Sequence, residues 1–192
     1  MKALGIVFSA RKTGNCLGCV KYCLEKIRER GFETEFLNAY DLKIMPCSHC
    51  NYECFAKPKR ECPVKDDVKM VYSKIVNSDV LLFAIPDYAG HPSGLYRAWF
   101  ERGCMFNWDE YEKGILLKPK GYIVIGNITA EGDQVLHEVL TEFYNASHRP
   151  EAILLQAREY ERDSLKGDLI DVPEVKNRLD KLVERVLKDV KK

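Results

Sequence analysis

Phe8-Ser9-Ala10-Arg11-Lys12-Thr13-Gly14-Asn15-Cys16 joins two stretches of opposite pattern. Before it, Ala3-Leu4-Gly5-Ile6-Val7-Phe8 is an unbroken apolar run, the pattern of a strand buried on both faces. After it, Leu17, Val20, Leu24 and Ile27 recur at helical spacing as far as Arg30-Gly31, where Gly31 can serve as the C-terminal cap. The segment therefore leaves the carboxyl end of a strand and enters a helix. Its Ser, Arg, Lys, Thr, Gly and Asn residues bring hydroxyl donors, positive charge and a pliant backbone to a helix N-terminus. Those are the parts of a phosphate cradle. The spacing is neither a Walker loop nor a G-x-G-x-x-G fingerprint. On residue types alone, an ordinary polar strand–helix turn explains the stretch equally well.

Outward from this loop the chain keeps one rhythm. Glu33-Thr34-Glu35-Phe36-Leu37 alternates polar and apolar, as in a strand with one wet side. Val80 to Ile85 reads as a buried strand cut off by Pro86, and Tyr122-Ile123-Val124-Ile125 and Ala152-Ile153-Leu154-Leu155 as two more. Helical patterns lie between them: one capped by Asp66, one from Ser93 through Phe106, and one from Asp133 to Ser147. A last helix opens at Asp171 and Pro173 and buries Val175, Leu179, Leu182, Val186 and Val190. Five strands separated by helices predict right-handed crossovers and a parallel sheet. With the wetter second strand at an edge, the expected order is 2-1-3-4-5, a flavodoxin-like three-layer α/β sandwich. Ligands then belong outside the carboxyl ends of strands one and three.

The 192 residues read as a single domain, 1–192, with 46% hydrophobic and 31% charged residues. Lys plus Arg number 30 against 29 Asp plus Glu, so no bulk charge points to nucleic acid or an acidic membrane surface. No apolar run reaches transmembrane length and no signal-peptide pattern precedes Ala3, which makes the cytoplasm the expected compartment. In a reducing compartment, eight cysteines ask for a metal or redox role.

The loops carry a resemblance. Ser9-x-Arg11-x-Thr13-Gly14-Asn15-Cys16 resembles the GSxRxxGNS/T loop of the NADPH-dependent FMN reductases, in which that loop holds the FMN phosphate. Phe8 replaces the usual leading Gly, and Cys16 stands where Ser or Thr is common, a weaker donor. Pro86-Asp87-Tyr88-Ala89-Gly90-His91-Pro92-Ser93 resembles the family's SPxYxxxxS/P loop, which borders the flavin ring, and Arg97-x-x-Phe100-x-Arg102 sharpens the likeness. It runs from the first strand to about Asn127, where the family often adds a ring contact. The resemblance implies FMN bound by Ser9, Arg11, Thr13, Gly14, Asn15, Cys16, Pro86, Asp87, Tyr88, Ala89, Gly90, Ser93 and Asn127. It implies that the flavin carries the chemistry without a catalytic side chain, and that NAD(P)H is the electron donor. The acceptor would be a small molecule such as flavin or quinone, or a protein. A homodimer or homotetramer built on the helix from Ser93 is expected. The alternative from another class is an electron-transfer flavoprotein reduced by ferredoxin and inert to NAD(P)H.

The cysteines fall in two groups. Cys16, Cys19 and Cys23 share a helical face and read as core, with Cys16 a neutral thiol beside the phosphate. Cys104 reads as structural, Trp99 and Trp108 as core or interface, and His91 as a surface or packing residue. Cys47-x2-Cys50-x3-Cys54-x7-Cys62 lies in an irregular, Pro-broken, cysteine-rich loop at 45–64. Such a set has few structural excuses, and iron–sulfur, zinc or no metal stay open on the residues alone. The place of this loop resembles that of the compact cysteine motif in iron–sulfur flavoproteins, relatives of the FMN reductases. That implies a 4Fe-4S cluster, although the gap between Cys50 and Cys54 is one residue longer than the usual C-x2-C-x2-C.

Overall fold

Three strands, β1 (Lys2–Val7), β3 (Val80–Tyr88) and β5 (Lys120–Gly126), run side by side and are buried along nearly their whole length. β2 (Glu33–Asn38) and β6 (Glu151–Gln156) complete a parallel sheet in the order β2-β1-β3-β5-β6. A two-residue strand, β4 (His91–Pro92), folds back antiparallel on the end of β3. Counted without it, the parallel strands follow the expected order 2-1-3-4-5. The computed structural model describes residues 1–48, 50, 52–55, 62–103, 112–127, 129–142, 149–188 and 190. Cys104, Trp108 and the helix end expected at Ser147 lie outside the described residues, whereas the helix expected to run from Ser93 through Phe106 ends at Phe100.

Alternation along the strands sorts the core into two layers. Ala3, Val7, Leu82, Ala84, Ile123 and Ile125 face α1 (Asn15–Arg28) and α5 (Pro173–Leu187). Leu4, Ile6, Phe8, Phe83, Ile85, Tyr122 and Val124 face α2 (Val68–Val76), α3 (Gly94–Phe100) and α4 (Thr129–Glu142). Each fully buried aliphatic or aromatic side chain contributes about 1.5–3 kcal/mol. On the first face α1 sits close: a Cβ at Gly5 would stand 2.5 Å from Val20 Cγ1 and 2.9 Å from Leu24 Cδ1. Cys19 and Cys23 are wholly buried there, and burial raises both thiols, as core packing requires.

On the second face the aromatic residues gather. The Trp99 ring lies 5.0 Å from Phe8, 5.1 Å from Tyr72 and 5.7 Å from Phe83. Phe8 therefore stands in place of a leading glycine because its ring is core, with 0% of its surface exposed. One expectation needs correcting. Pro86 does not cut the third strand, which continues to Tyr88. The β1 ladder ends at Val7 opposite Ala84, so Pro86 lies beyond the last β1 partner and its missing N–H breaks nothing there. Among the described residues, no helix is long and apolar enough to cross a membrane.

Candidate functional site

A cavity of about 230 Å³ opens at the carboxyl ends of β1, β3 and β5. Its floor is the stretch between β1 and α1: Ser9, Arg11, Thr13, Gly14, Asn15 and Cys16 all line it. Gly14 occupies the N-cap position of α1 with φ 131°, and no side chain caps the helix. The first-turn N–H groups thus remain available to a ligand. A Cβ at Gly14 would meet the Arg11 guanidinium at 3.1 Å, so glycine serves both backbone and space. Asn15 is 4% exposed; its Oδ1 accepts the Leu169 N–H at 3.0 Å, while its Nδ2 is buried without a partner among the described residues. The Cys16 thiol is pushed up to about 12 by burial, against the opposing pull of the Arg11 charge, and stays neutral.

A wall the sequence reading missed comes from far along the chain. Arg11 donates from Nη1 to the Ser164 carbonyl at 2.8 Å and from Nη2 to the Leu165 carbonyl at 2.7 Å. A Cβ at Gly167 would lie 3.0 Å from Gly14 Cα, so the backbones of the two loops are in contact. Ser164 and Leu165 line the cavity as a result. Residues 163–169 form a strap across the cradle, and Arg11 is its clasp. Residues 163–169 carry no spacing that points to Arg11. Arg11→Ala is expected to weaken FMN binding by about 1.5–3 kcal/mol, roughly 10- to 150-fold in Kd, and to weaken it more than it disturbs folding. Fluorescence titration of FMN beside a thermal melt checks this; unchanged affinity would refute it.

The opposite wall is the end of β3. Tyr88 pairs with His91 across a two-residue turn in which Ala89 and Gly90 have φ of 53° and 78°. Positive φ at both central residues is what a type I′ hairpin turn requires. Asp87 fixes it by accepting the Gly90 N–H at 2.8 Å. Pro86, Asp87 and Tyr88 line the cavity, as do Gly126 and Asn127 after β5; Tyr88 keeps 44% of its surface exposed at the mouth. Ala89, Gly90 and Ser93 stand outside the wall. The buried Ser93 hydroxyl donates to the Phe8 carbonyl and accepts the Tyr96 N–H at 3.2 Å, which caps α3 and ties it to the end of β1.

The cysteine loop stands at the other end of α3. None of its four cysteines is in a disulfide. The Cys47 thiol is raised by partial desolvation, then by the Glu101 carboxylate, then by the sulfurs of Cys50, Cys54 and Cys62, which places all four in one neighbourhood. Among the described residues no three His, Cys, Asp or Glu side chains already stand at metal-ligand separation, so this is not a closed shell. The chemistry of the donor set fits a thiolate-bound metal or cluster, for which ligand ordering and metal binding are coupled. Both ends of the loop are anchored: Glu101 accepts the Cys47 N–H, and Arg102 donates to Cys62 Sγ at 3.4 Å.

Residues 1–159 match the NADPH-dependent FMN reductase family, and the chain belongs to it. It is 34% identical over 102 residues to an iron-sulfur flavoprotein of Methanocaldococcus jannaschii, a match covering 53% of this chain and 51% of that one. The chain thus spans about half the length of that relative. With a second iron-sulfur flavoprotein of the same organism, identity is 33% over 144 residues, covering 75% of this chain and 71% of the other. A flavodoxin of Streptococcus pneumoniae shares the fold, with a TM-score of 0.60, 14% identity, and coverage of 99% of this chain and 100% of that one.

Proposed function

We propose that this chain is an FMN-dependent oxidoreductase that takes electrons from NAD(P)H and delivers them to a flavin, a quinone or another acceptor. Cys47, Cys50, Cys54 and Cys62 hold a 4Fe-4S cluster in this reading. The observation that carries the flavin assignment is the buried, unpartnered Nδ2 of Asn15 in a cradle whose helix has no capping side chain. A buried donor left unmet costs about 1–3 kcal/mol, and a phosphate oxygen would satisfy it. The Ser9 and Thr13 hydroxyls and the first amides of α1 would hold the same group, with the Arg11 charge close by. Tyr88 would offer its ring to a planar ligand at the mouth. FMN, when bound, supplies electron exchange in pairs or singly, which suits a two-electron donor beside a one-electron cluster. The side chains bind and orient, and the cavity wall excludes water from one side of the ligand.

Two anaerobic measurements test the reading. FMN added to the flavin-free protein should bind with quenched fluorescence, and NADH or NADPH should then bleach the flavin absorbance within a useful turnover time. Binding without bleaching by either nucleotide would favour an electron carrier reduced by another protein, and no binding would reject the flavin site. Iron and acid-labile sulfide in near-equal amounts, both lost in Cys50→Ser, are expected for the cysteine loop; zinc without sulfide would make it structural.

A further inference from the structure

We propose that Arg102 is the positioning residue of the four-cysteine site, fixing the Cys62 sulfur and supplying it with a buried positive charge. This rests on the reading of Cys47, Cys50, Cys54 and Cys62 as metal ligands. Arg102 follows α3 and is 2% exposed. Its Nη1 pairs with the Asp66 carboxylate, whose side chain is 0% exposed, and also donates to the Met45 carbonyl at 3.2 Å. Its Nη2 reaches Cys62 Sγ at 3.4 Å. Asp66 in turn accepts the Met45 N–H at 2.8 Å on Oδ2 and the Val68 N–H at 3.3 Å on Oδ1. One buried ion pair therefore holds the chain entering the motif at Met45 and the chain leaving it at Cys62.

The chemistry of the last contact points to a metal-bound sulfur. Taking a guanidinium out of water is costly unless its N–H groups find strong acceptors. A neutral thiol is a weak acceptor, whereas a thiolate or metal-bound sulfur is a strong one. Four thiolates drawn together repel one another, and a fixed cation at hydrogen-bond distance offsets part of that repulsion. Hydrogen bonds of this kind also tune metal–thiolate sites. The planar fork is what allows a carboxylate, a carbonyl and a sulfur to be served at once; the lysine ammonium is a point charge that cannot span all three.

The test uses Co2+ as the probe, loaded without oxygen into the flavin-free full chain. A hydrogen bond lowers the energy of the sulfur lone pairs, so its loss should move the sulfur-to-cobalt charge-transfer band to longer wavelength. Arg102→Lys, which keeps a cation for Asp66, should show that shift while still taking up FMN. The double variant Arg102→Gln with Asp66→Asn should show it too, without leaving a lone buried charge, and serves if the lysine variant fails to fold. Where the isolated protein carries iron and sulfide, Arg102→Lys should lower the midpoint potential of that centre, because the more negative reduced form loses its donor. A parent protein that gives no thiolate charge-transfer band with Co2+ would overturn the metal reading and this proposal together. A parent with the band, and variants whose band or potential does not move, would leave the metal site standing and overturn the role of Arg102.

Discussion

Asp66→Ala is expected to lower the unfolding free energy by about 3–5 kcal/mol, the usual result of removing one partner of a buried ion pair. The carboxylate is wholly buried and meets the Arg102 guanidinium and the N–H groups of Met45 and Val68. Its loss strands a guanidinium that is 2% exposed, together with two backbone donors. For a chain of 192 residues the melting temperature should fall by roughly 10 °C. Asp66→Asn keeps one acceptor oxygen and the side-chain shape, so its loss should be smaller. Thermal melts of the two variants decide the matter, and an alanine variant as stable as the parent would show that water had taken over the pair.

The second large effect concerns pH. Lys120 is 2% exposed at the start of β5, and its Nζ donates to the Leu116 carbonyl at 2.9 Å. Burial lowers its pKa from 10.5 to about 8. Between about pH 8 and 10.5 the unfolded chain holds the proton that the folded chain has lost, so stability from this group rises with pH across that window. Below it both states are charged and the burial penalty is constant. Lys120→Met removes the titration, so the stability of the parent relative to this variant should rise by about 3 kcal/mol from pH 7 to above pH 10. Chemical denaturation of both proteins at the two ends of the window measures it. A difference independent of pH would mean the ammonium is solvated in the folded state.

How much of this could be read from the residues depended on the range of the signal. Strand alternation and helical spacing are local, so the sheet, its order and the helix faces were legible, and with them the turn from β1 into α1. Resemblance added the Tyr88 loop. The strap was not legible, because Arg11 and the Ser164 carbonyl are 153 residues apart and a backbone carbonyl carries no residue-specific mark. Arg102 was hidden differently. It stood in the family-like Arg97-x-x-Phe100-x-Arg102 pattern, and nothing in that spacing announced that its charge would be buried against Asp66 and Cys62. Pro86 misled for a third reason: its effect depends on where the neighbouring strand ends, which is a property of the sheet.

The strap also orders events in time. Arg11 leaves the ribosome 153 residues ahead of its partner Ser164, and Leu165 and the Leu169 N–H that engages Asn15 emerge later still. Closing so long a loop takes an entropic toll of the kind that slows folding, and it must be met before the cradle has its outer wall. A nascent chain can assemble β1, α1 and β3 and still lack a closed pocket. A ligand held at this cavity would thus report that residues 163–169 have docked.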